Sequence, residues 1–275
     1  MLRSLTALAA SSVLILSTPA AHGELMIAPT RVVLEGGERS AELVLINKGA
    51  EQGAFRISLE NRRMLENGAL EAAGTAQEGE LFADSILRFS PRRALLEPGE
   101  RQTIRISAQT SGLEPGEYRT HLRVMGAPTS AGRTLSQATG EGGDSISIQL
   151  IAVRSLTIPA IVRVGSLDAE VVIESAATAP SDEAGEALFV ARMSRTGTRS
   201  TYGDLELFVE GEDQPVYFAR GIAIYTPNTE RDVILPMPTE IAARLAGQKV
   251  RIAYVSSDPS RPGIISQTTL EMPAG

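Results

Sequence analysis

Residues 92–106 read RRALLEPGERQTIRI, and residues 114–124 read EPGEYRTHLRV. Each segment contains the tetrapeptide Glu-Pro-Gly-Glu beside residues that alternate between apolar and polar. Proline presets φ near −65° and glycine accepts positive φ, so the tetrapeptide predicts a tight turn. Alternation with a period of two predicts strands with one buried face. The two segments therefore indicate short antiparallel strands joined by turns.

The strand over residues 118–124 divides its side chains between two faces. Leu122 and Val124 share one face with Tyr118 and Thr120, whereas Arg119, His121 and Arg123 share the other. Similar runs occur at residues 25–27, 31–34, 40–46 and 54–59, and again from residue 187 onward. Short strands at this spacing, separated by Pro/Gly turns, are typical of antiparallel sandwiches. The pattern predicts an all-β fold with two β-sandwich domains in tandem.

The predicted domains cover residues 24–158 and 159–275. No amphipathic helix of useful length is expected before residue 160, and one short helix is predicted over residues 238–245 with Thr239 as its cap. Residues 176–185 are expected to form an exposed loop.

The first 23 residues have the composition of a cleavable leader. Arg3 precedes an apolar run over residues 5–16, and small residues follow at Ala20, Ala21 and Gly23. The run is shorter than the roughly 20 apolar residues that a membrane span requires. We therefore expect a signal peptide, no membrane insertion, and in a bacterium a periplasmic location.

The composition of the chain excludes some classes of partner and site. The chain has 26 Lys and Arg against 33 Asp and Glu, a formal net charge of −7, with arginines interleaved among the acidic residues. Nucleic-acid binding requires clustered positive charge, so no nucleic-acid partner is expected. The chain contains no cysteine, which excludes disulfides and thiolate metal sites.

Catalytic groupings are poorly represented. His121 is the one histidine that follows the leader, and its position beside two arginines predicts a solvated surface residue. The sequence has no G-x-S-x-G elbow, P-loop or H-E-x-x-H motif, and its carboxylates lack metal-ligand spacing. We expect no enzyme activity, no catalytic residue, no metal and no cofactor; a hydrolase acting on an exported substrate is the least favoured reading.

A polar, glycine-rich loop over residues 126–144 precedes a second alternating segment at residues 145–154. The loop is longer than most structureless connections, which favours a functional role. In the segment that follows, one face carries Ile146, Ile148, Leu150 and Ala152. Two readings remain open: an ordinary half-buried sandwich strand, or a strand that fills the apolar groove of another protein.

Arg31 and Arg154 each lie within an apolar segment, where a charge is costly unless it is paired or reaches water. One reading is that each meets a local carboxylate or extends to solvent. The other is that the two bind an anion together, because a guanidinium presents a planar fork of donors.

The chain resembles the PapD-like family of periplasmic pilus (fimbrial) assembly chaperones. Three segments carry the resemblance, in the family's order: residues 30–36 followed by 45–47, residues 90–100, and residues 118–124 leading through the long loop to Arg154 and Pro159. The resemblance implies two immunoglobulin-like domains with a cleft between them. It also implies that the strand after the long loop is lent to a pilus subunit and that Arg31 and Arg154 hold the subunit's C-terminal carboxylate.

Two features depart from the family pattern. Ile146, Ile148 and Leu150 share a strand face with Arg154, whereas in typical members a shift in the alternation separates the donated apolar residues from the cleft cation. Ile151 and Val153 are therefore an alternative set of donated residues. The second domain carries no matching motif, and an outer-membrane usher is a partner implied by the resemblance alone. The alternative function is a tandem immunoglobulin-like structural or adhesive protein of the cell envelope.

Overall fold

The computed structural model describes residues 25–126, 133–135, 148–150 and 155–274. Within these ranges the regular structure is β-strand apart from one short helix, which gives the all-β fold that the alternation predicts. In chain order the elements are β1 (Leu25–Ala28), β2 (Val32–Leu34), β3 (Ser40–Asn47), β4 (Gly53–Glu60), β5 (Arg62–Met64), β6 (Leu70–Ala72), β7 (Leu87–Ser90), β8 (Arg93–Leu96), β9 (Arg101–Ala108), β10 (Gly116–Gly126), β11 (Arg133–Leu135), β12 (Ile148–Leu150), β13 (Ser155–Val164), β14 (Ala169–Pro180), β15 (Glu186–Gly197), β16 (Thr201–Val209), β17 (Tyr217–Ile224), β18 (Glu230–Pro238), α1 (Thr239–Leu245), β19 (Lys249–Ser256) and β20 (Ile264–Glu271).

Two sheets form the first sandwich, which has the immunoglobulin-like arrangement. One has the order β1-β3-β9-β7, and the other has the order β2-β13-β10-β4-β8. Their inner faces enclose a core that includes Leu34, Leu43, Leu45, Ile104 and Leu122. Burial of each such side chain stabilises the fold by about 1.5–3 kcal/mol, so a sandwich of this size holds together without disulfides.

The strand β13 is the last strand of the first sandwich. It pairs antiparallel with β10 over its whole length and parallel with β2 over Ala160 to Val162. The predicted boundary between residues 158 and 159 falls within this strand. The connection to the second sandwich runs through residues 165–168, between β13 and β14.

The second sandwich packs the sheet β14-β15-β18 against the sheet β17-β16-β19-β20. Its core includes Phe189, Met193, Leu207, Ile252 and Tyr254. The exposed loop expected over residues 176–185 is shorter than predicted, because β14 continues to Pro180 opposite β15, with a register shift between Ile173 and Ser175.

The predicted helix is present as α1, but its cap differs from the prediction. Pro238 occupies the N-cap position and no side chain caps the helix, so Thr239 is the first helical residue rather than the cap. No helix in the described ranges is long and apolar enough to cross a membrane.

Candidate functional site

The outer face of β10 is covered by the second sandwich. As the alternation predicts, Leu122 and Val124 face the core of the first sandwich. Arg119 and His121 point the other way, where both contact the ring of Tyr225, the residue after β17. The central position of β10 in its sheet therefore places a polar strand face at the junction of the two sandwiches.

His121 is buried, which corrects the prediction of a solvated surface histidine. Only 1% of the residue is exposed, and its ring stands edge-on to that of Tyr225 with 6.4 Å between centroids. Burial, together with the charges of Arg119 and Arg62, lowers the pKa of His121 to about 3. The imidazole is therefore neutral at ordinary pH.

Arg31 lies one residue before β2 rather than within a strand. Its guanidinium carbon is 4.6 Å from the ring centroid of Tyr202 and 5.6 Å from that of Tyr225. Such stacking holds a cation without neutralising it. The buried Nη1 of Arg31 has no hydrogen-bond partner among the described residues. A guanidinium held in this way can donate to an incoming anion.

Arg119 also contacts the ring of Tyr225. Its guanidinium carbon is 4.3 Å from the ring centroid of Tyr225, and 5% of the residue is exposed. Burial lowers the pKa of Arg119 below its usual value. Its Nη2 donates a long bond of 3.4 Å to the carbonyl of Arg62, and its Nη1 has no partner in the described part of the chain.

Glu117 connects the two sandwiches next to this cluster. Its side chain is fully buried and accepts a 2.9 Å hydrogen bond from Nε of Arg163. Across the junction it accepts bonds from the backbone N–H of Ser200 at 3.1 Å and from the hydroxyls of Ser200 and Thr226. A buried charge with this many donors is compensated rather than costly.

The ion network extends outward from Arg163. Its Nη1 is 2.6 Å from a carboxylate oxygen of Glu35 and 3.6 Å from Asp258 of the second sandwich. Arg261 binds the other oxygen of Glu35 at 2.7 Å. Burial alone would raise the pKa of Glu35, but the bonds from Arg163 and Arg261 hold it below its usual range. The network therefore joins charged side chains of the first sandwich to charged side chains of the second.

The predicted strand for donation lies only partly in the described ranges. Ile148 and Leu150 belong to β12, which pairs antiparallel with β11, so the predicted long loop contains a short strand. Ile146, Ala152 and Arg154 lie outside the described residues, as do Ile151 and Val153. That Arg154 stands beside Arg31 thus remains an expectation from the family resemblance.

Sequence reasoning missed Tyr202, Tyr225 and Glu117 as members of this junction. Glu117 is the second residue of β10, which pairs with β13 along most of its length and with β4 from His121 onward, and a carboxylate within such a strand was the available signal. The two tyrosines gave none, because their role depends on how the sandwiches meet. In the described ranges, no group of three or more His, Asp or Glu side chains is placed to hold a metal ion.

Comparison with solved structures found chains of similar fold. The CupB2 chaperone of Pseudomonas aeruginosa is 13% identical, with a TM-score of 0.46 and coverage of 91% of this chain and 100% of that one. The chaperone–tip subunit complex CsuC–CsuE, from archaic chaperone–usher Csu pili of Acinetobacter baumannii, gives 13% identity, a TM-score of 0.45 and coverage of 92% and 99%. The E. coli chaperone DraB is 17% identical, with a TM-score of 0.42 and coverage of 91% of this chain and 97% of that one.

No protein-family model and no curated protein sequence matches the chain. The two tandem sandwiches are given by the sheets of this chain itself. The residues of the junction carry the proposal that follows.

Proposed function

We propose that the chain is a periplasmic chaperone that caps pilus or fimbrial subunits and delivers them to an outer-membrane usher. It lends the strand around β12 to the subunit and anchors the subunit's C-terminal carboxylate through Arg31, together with Arg154. Residues 1–23 direct export and are then removed.

The observation that carries this proposal is the state of Arg31. Its guanidinium is held over two tyrosine rings at the junction, and its Nη1 has no partner among the described residues. An arginine needed for packing alone is expected to have its buried donors satisfied. A terminal carboxylate shares a negative charge over two oxygens, and these match the two donors of the guanidinium fork. The anchor requires no catalytic group, in keeping with a binding role.

The test is to express the protein with its neighbouring genes, purify it from the periplasm, and identify any stoichiometric companion by mass spectrometry. A small β-rich companion is expected with the wild-type protein and absent with Arg31→Ala. The control is Arg92→Ala, because Arg92 also stacks on a ring, that of Phe89 at 5.2 Å, but on the surface of the first sandwich. Equal recovery with Arg31→Ala and the wild type would overturn the carboxylate anchor.

One observation favours the alternative of a structural or adhesive protein. Leu95 is 61% exposed on β8, which lies at the edge of its sheet. An edge strand with an exposed apolar side chain can pair with another copy. Homo-oligomers that form with rising concentration, without any companion subunit, would support that alternative.

A further inference from the structure

Three side chains of the first sandwich surround one ring of the second. Arg31 and Arg119 place their guanidinium carbons 5.6 and 4.3 Å from the ring centroid of Tyr225, and His121 meets the same ring edge-on. Two cations that share a ring at these distances repel each other, and the charge of Arg31 contributes to the lowered pKa of Arg119. An anion bound between the two cations would offset this repulsion.

Strand pairing accounts for the grouping. His121 is opposite Pro159, and Arg119 is opposite Ile161, both on β13. Val32 is beside Ala160 on the other side of β13, which places Arg31 next to Pro159. Arg31 and His121 therefore flank one residue of β13 on the same sheet face, about two strand spacings, roughly 10 Å, apart at the backbone.

Their polar atoms are unmatched in the described part of the chain. The Nη1 atoms of Arg31 and Arg119 and both ring nitrogens of His121 are buried without a hydrogen-bond partner. An unsatisfied buried donor costs about 1–3 kcal/mol. Arg119 and His121 are each more than nine-tenths buried, so bulk water does not satisfy them. A small planar anion beside the shared ring of Tyr225 could accept hydrogen bonds from the unpaired donors of both cations.

We propose that Arg119 is a second cation of the carboxylate site at Arg31, with neutral His121 forming the adjoining wall. The inference rests on the proposed carboxylate anchor and adds a residue to it. A carboxylate has two oxygens and several acceptor positions, enough for the forks of two arginines. Arg119 lies on β10, within the sheet, so it is positioned by the rigid sandwich.

The test uses a minimal mimic of a chain terminus. N-acetylglycine, which ends in a carboxylate, is titrated against the protein at constant ionic strength, and N-acetylglycinamide serves as the neutral counterpart. Binding is followed by NMR on the imidazole of His121. The chain's other histidine is His22, which belongs to the leader proposed to be removed, so the exported protein should give a single imidazole signal.

We expect the acid, but not the amide, to shift the His121 signals until saturation. Arg31→Ala should abolish the shift, and Arg119→Gln should weaken binding of the acid about tenfold, the loss expected for one charge-assisted hydrogen bond. Arg123→Gln is the control, because Arg123 is on the same strand face but pairs with Glu60 at 3.0 Å; it should bind as the wild type does.

The outcomes separate the two proposals. Wild-type affinity in Arg119→Gln, with binding lost in Arg31→Ala, would overturn the role of Arg119 and leave the anchor in place. Wild-type affinity in Arg31→Ala would overturn the anchor itself. If Arg119→Gln does not fold, Arg119→Lys keeps the charge. Because the guanidinium fork is lost, its affinity for the acid should fall below that of the wild type, and an unchanged affinity would contradict the inference. The absence of any saturable shift in the wild type would also overturn it.

Discussion

Glu117 in the first sandwich accepts a hydrogen bond from the backbone N–H of Ser200 in the second, with 3.1 Å between nitrogen and oxygen. The same carboxylate binds Nε of Arg163, whose side chain is 4% exposed. One buried charge thus satisfies donors from both sandwiches. Removing its charge would leave the buried guanidinium of Arg163 with one fewer carboxylate partner. We therefore expect Glu117 to contribute substantially to the stability of the junction.

Glu117→Gln should lower the free energy of unfolding by about 3 kcal/mol, the scale measured when one partner of a buried ion pair is removed. The measurement is chemical denaturation. Glu42→Gln is the control: Glu42 pairs with Arg105 at 2.9 Å, but both side chains are more than half exposed. An exposed pair contributes about 1 kcal/mol or less. Similar losses in the two variants would contradict the role given to Glu117.

His121 should make stability depend on pH above the range where carboxylates titrate. Its pKa is about 3 in the folded chain and returns to about 6.5 on unfolding. Between those values the unfolded chain binds one more proton, so stability falls as pH falls, by at most about 1.4 kcal/mol per pH unit. Denaturation curves between pH 7 and pH 5 should show this slope in the wild type and a flatter one in His121→Gln. Equal slopes would place His121 in contact with solvent.

The ring of Tyr225 should matter more than its hydroxyl. Tyr225→Phe keeps the face on which Arg31 and Arg119 stack, and it should change the free energy of unfolding by less than about 1 kcal/mol. Tyr225→Leu removes both contacts and should cost about 4 kcal/mol, since desolvated cation–π contacts contribute about 2 kcal/mol each. Thermal and chemical denaturation of the two variants provide the comparison. A loss as large in Tyr225→Phe as in Tyr225→Leu would show that stacking is not what stabilises the cluster.

Gly68, in the turn between β5 and β6, should be sensitive to a methyl group because that turn contacts the second sandwich. A Cβ at Gly68 would overlap Nη1 of Arg231, and the residue has φ +80°. Gly37 has φ +95° with nothing within 4 Å of its Cβ position, so Gly37→Ala reports backbone strain alone. We expect Gly37→Ala to cost about 1 kcal/mol and Gly68→Ala to cost more. Equal costs in denaturation experiments would mean that Arg231 moves aside freely.

The fold was predictable because its signals are local. The Glu-Pro-Gly-Glu turns and the alternation in β10 identify the strands and their inner faces, and Leu122 and Val124 lie in the core as expected. The end of β13 was not predictable: residues 159–164 read equally well as the first strand of a new domain. Their pairing with β10 is a long-range contact that no short segment specifies.

The site was predictable in part. Arg31 was identified because a cation in an apolar segment needs a reason, and the structure places it at the junction over two tyrosine rings. His121 was assigned to solvent because alternation shows which side chains share a face but not whether a second sandwich covers that face. The same gap hid Arg119 and Tyr225, whose contact joins residues far apart in the sequence.

The polar outer face of β10 has a consequence for how the two sandwiches come apart. Arg119 and His121 face the junction next to a small apolar cluster that includes Ile161 and Tyr225, and Glu117 adds bonds of fixed direction. Hydrogen bonds and ion pairs lose their strength within a small displacement, whereas apolar surfaces can slide. A hinge built this way has one preferred angle. If the chain were cut within residues 165–168, separation of the halves would expose apolar side chains such as Ile161 and Tyr225 beside charges that had lost their partners, and each half should be less soluble than the intact chain.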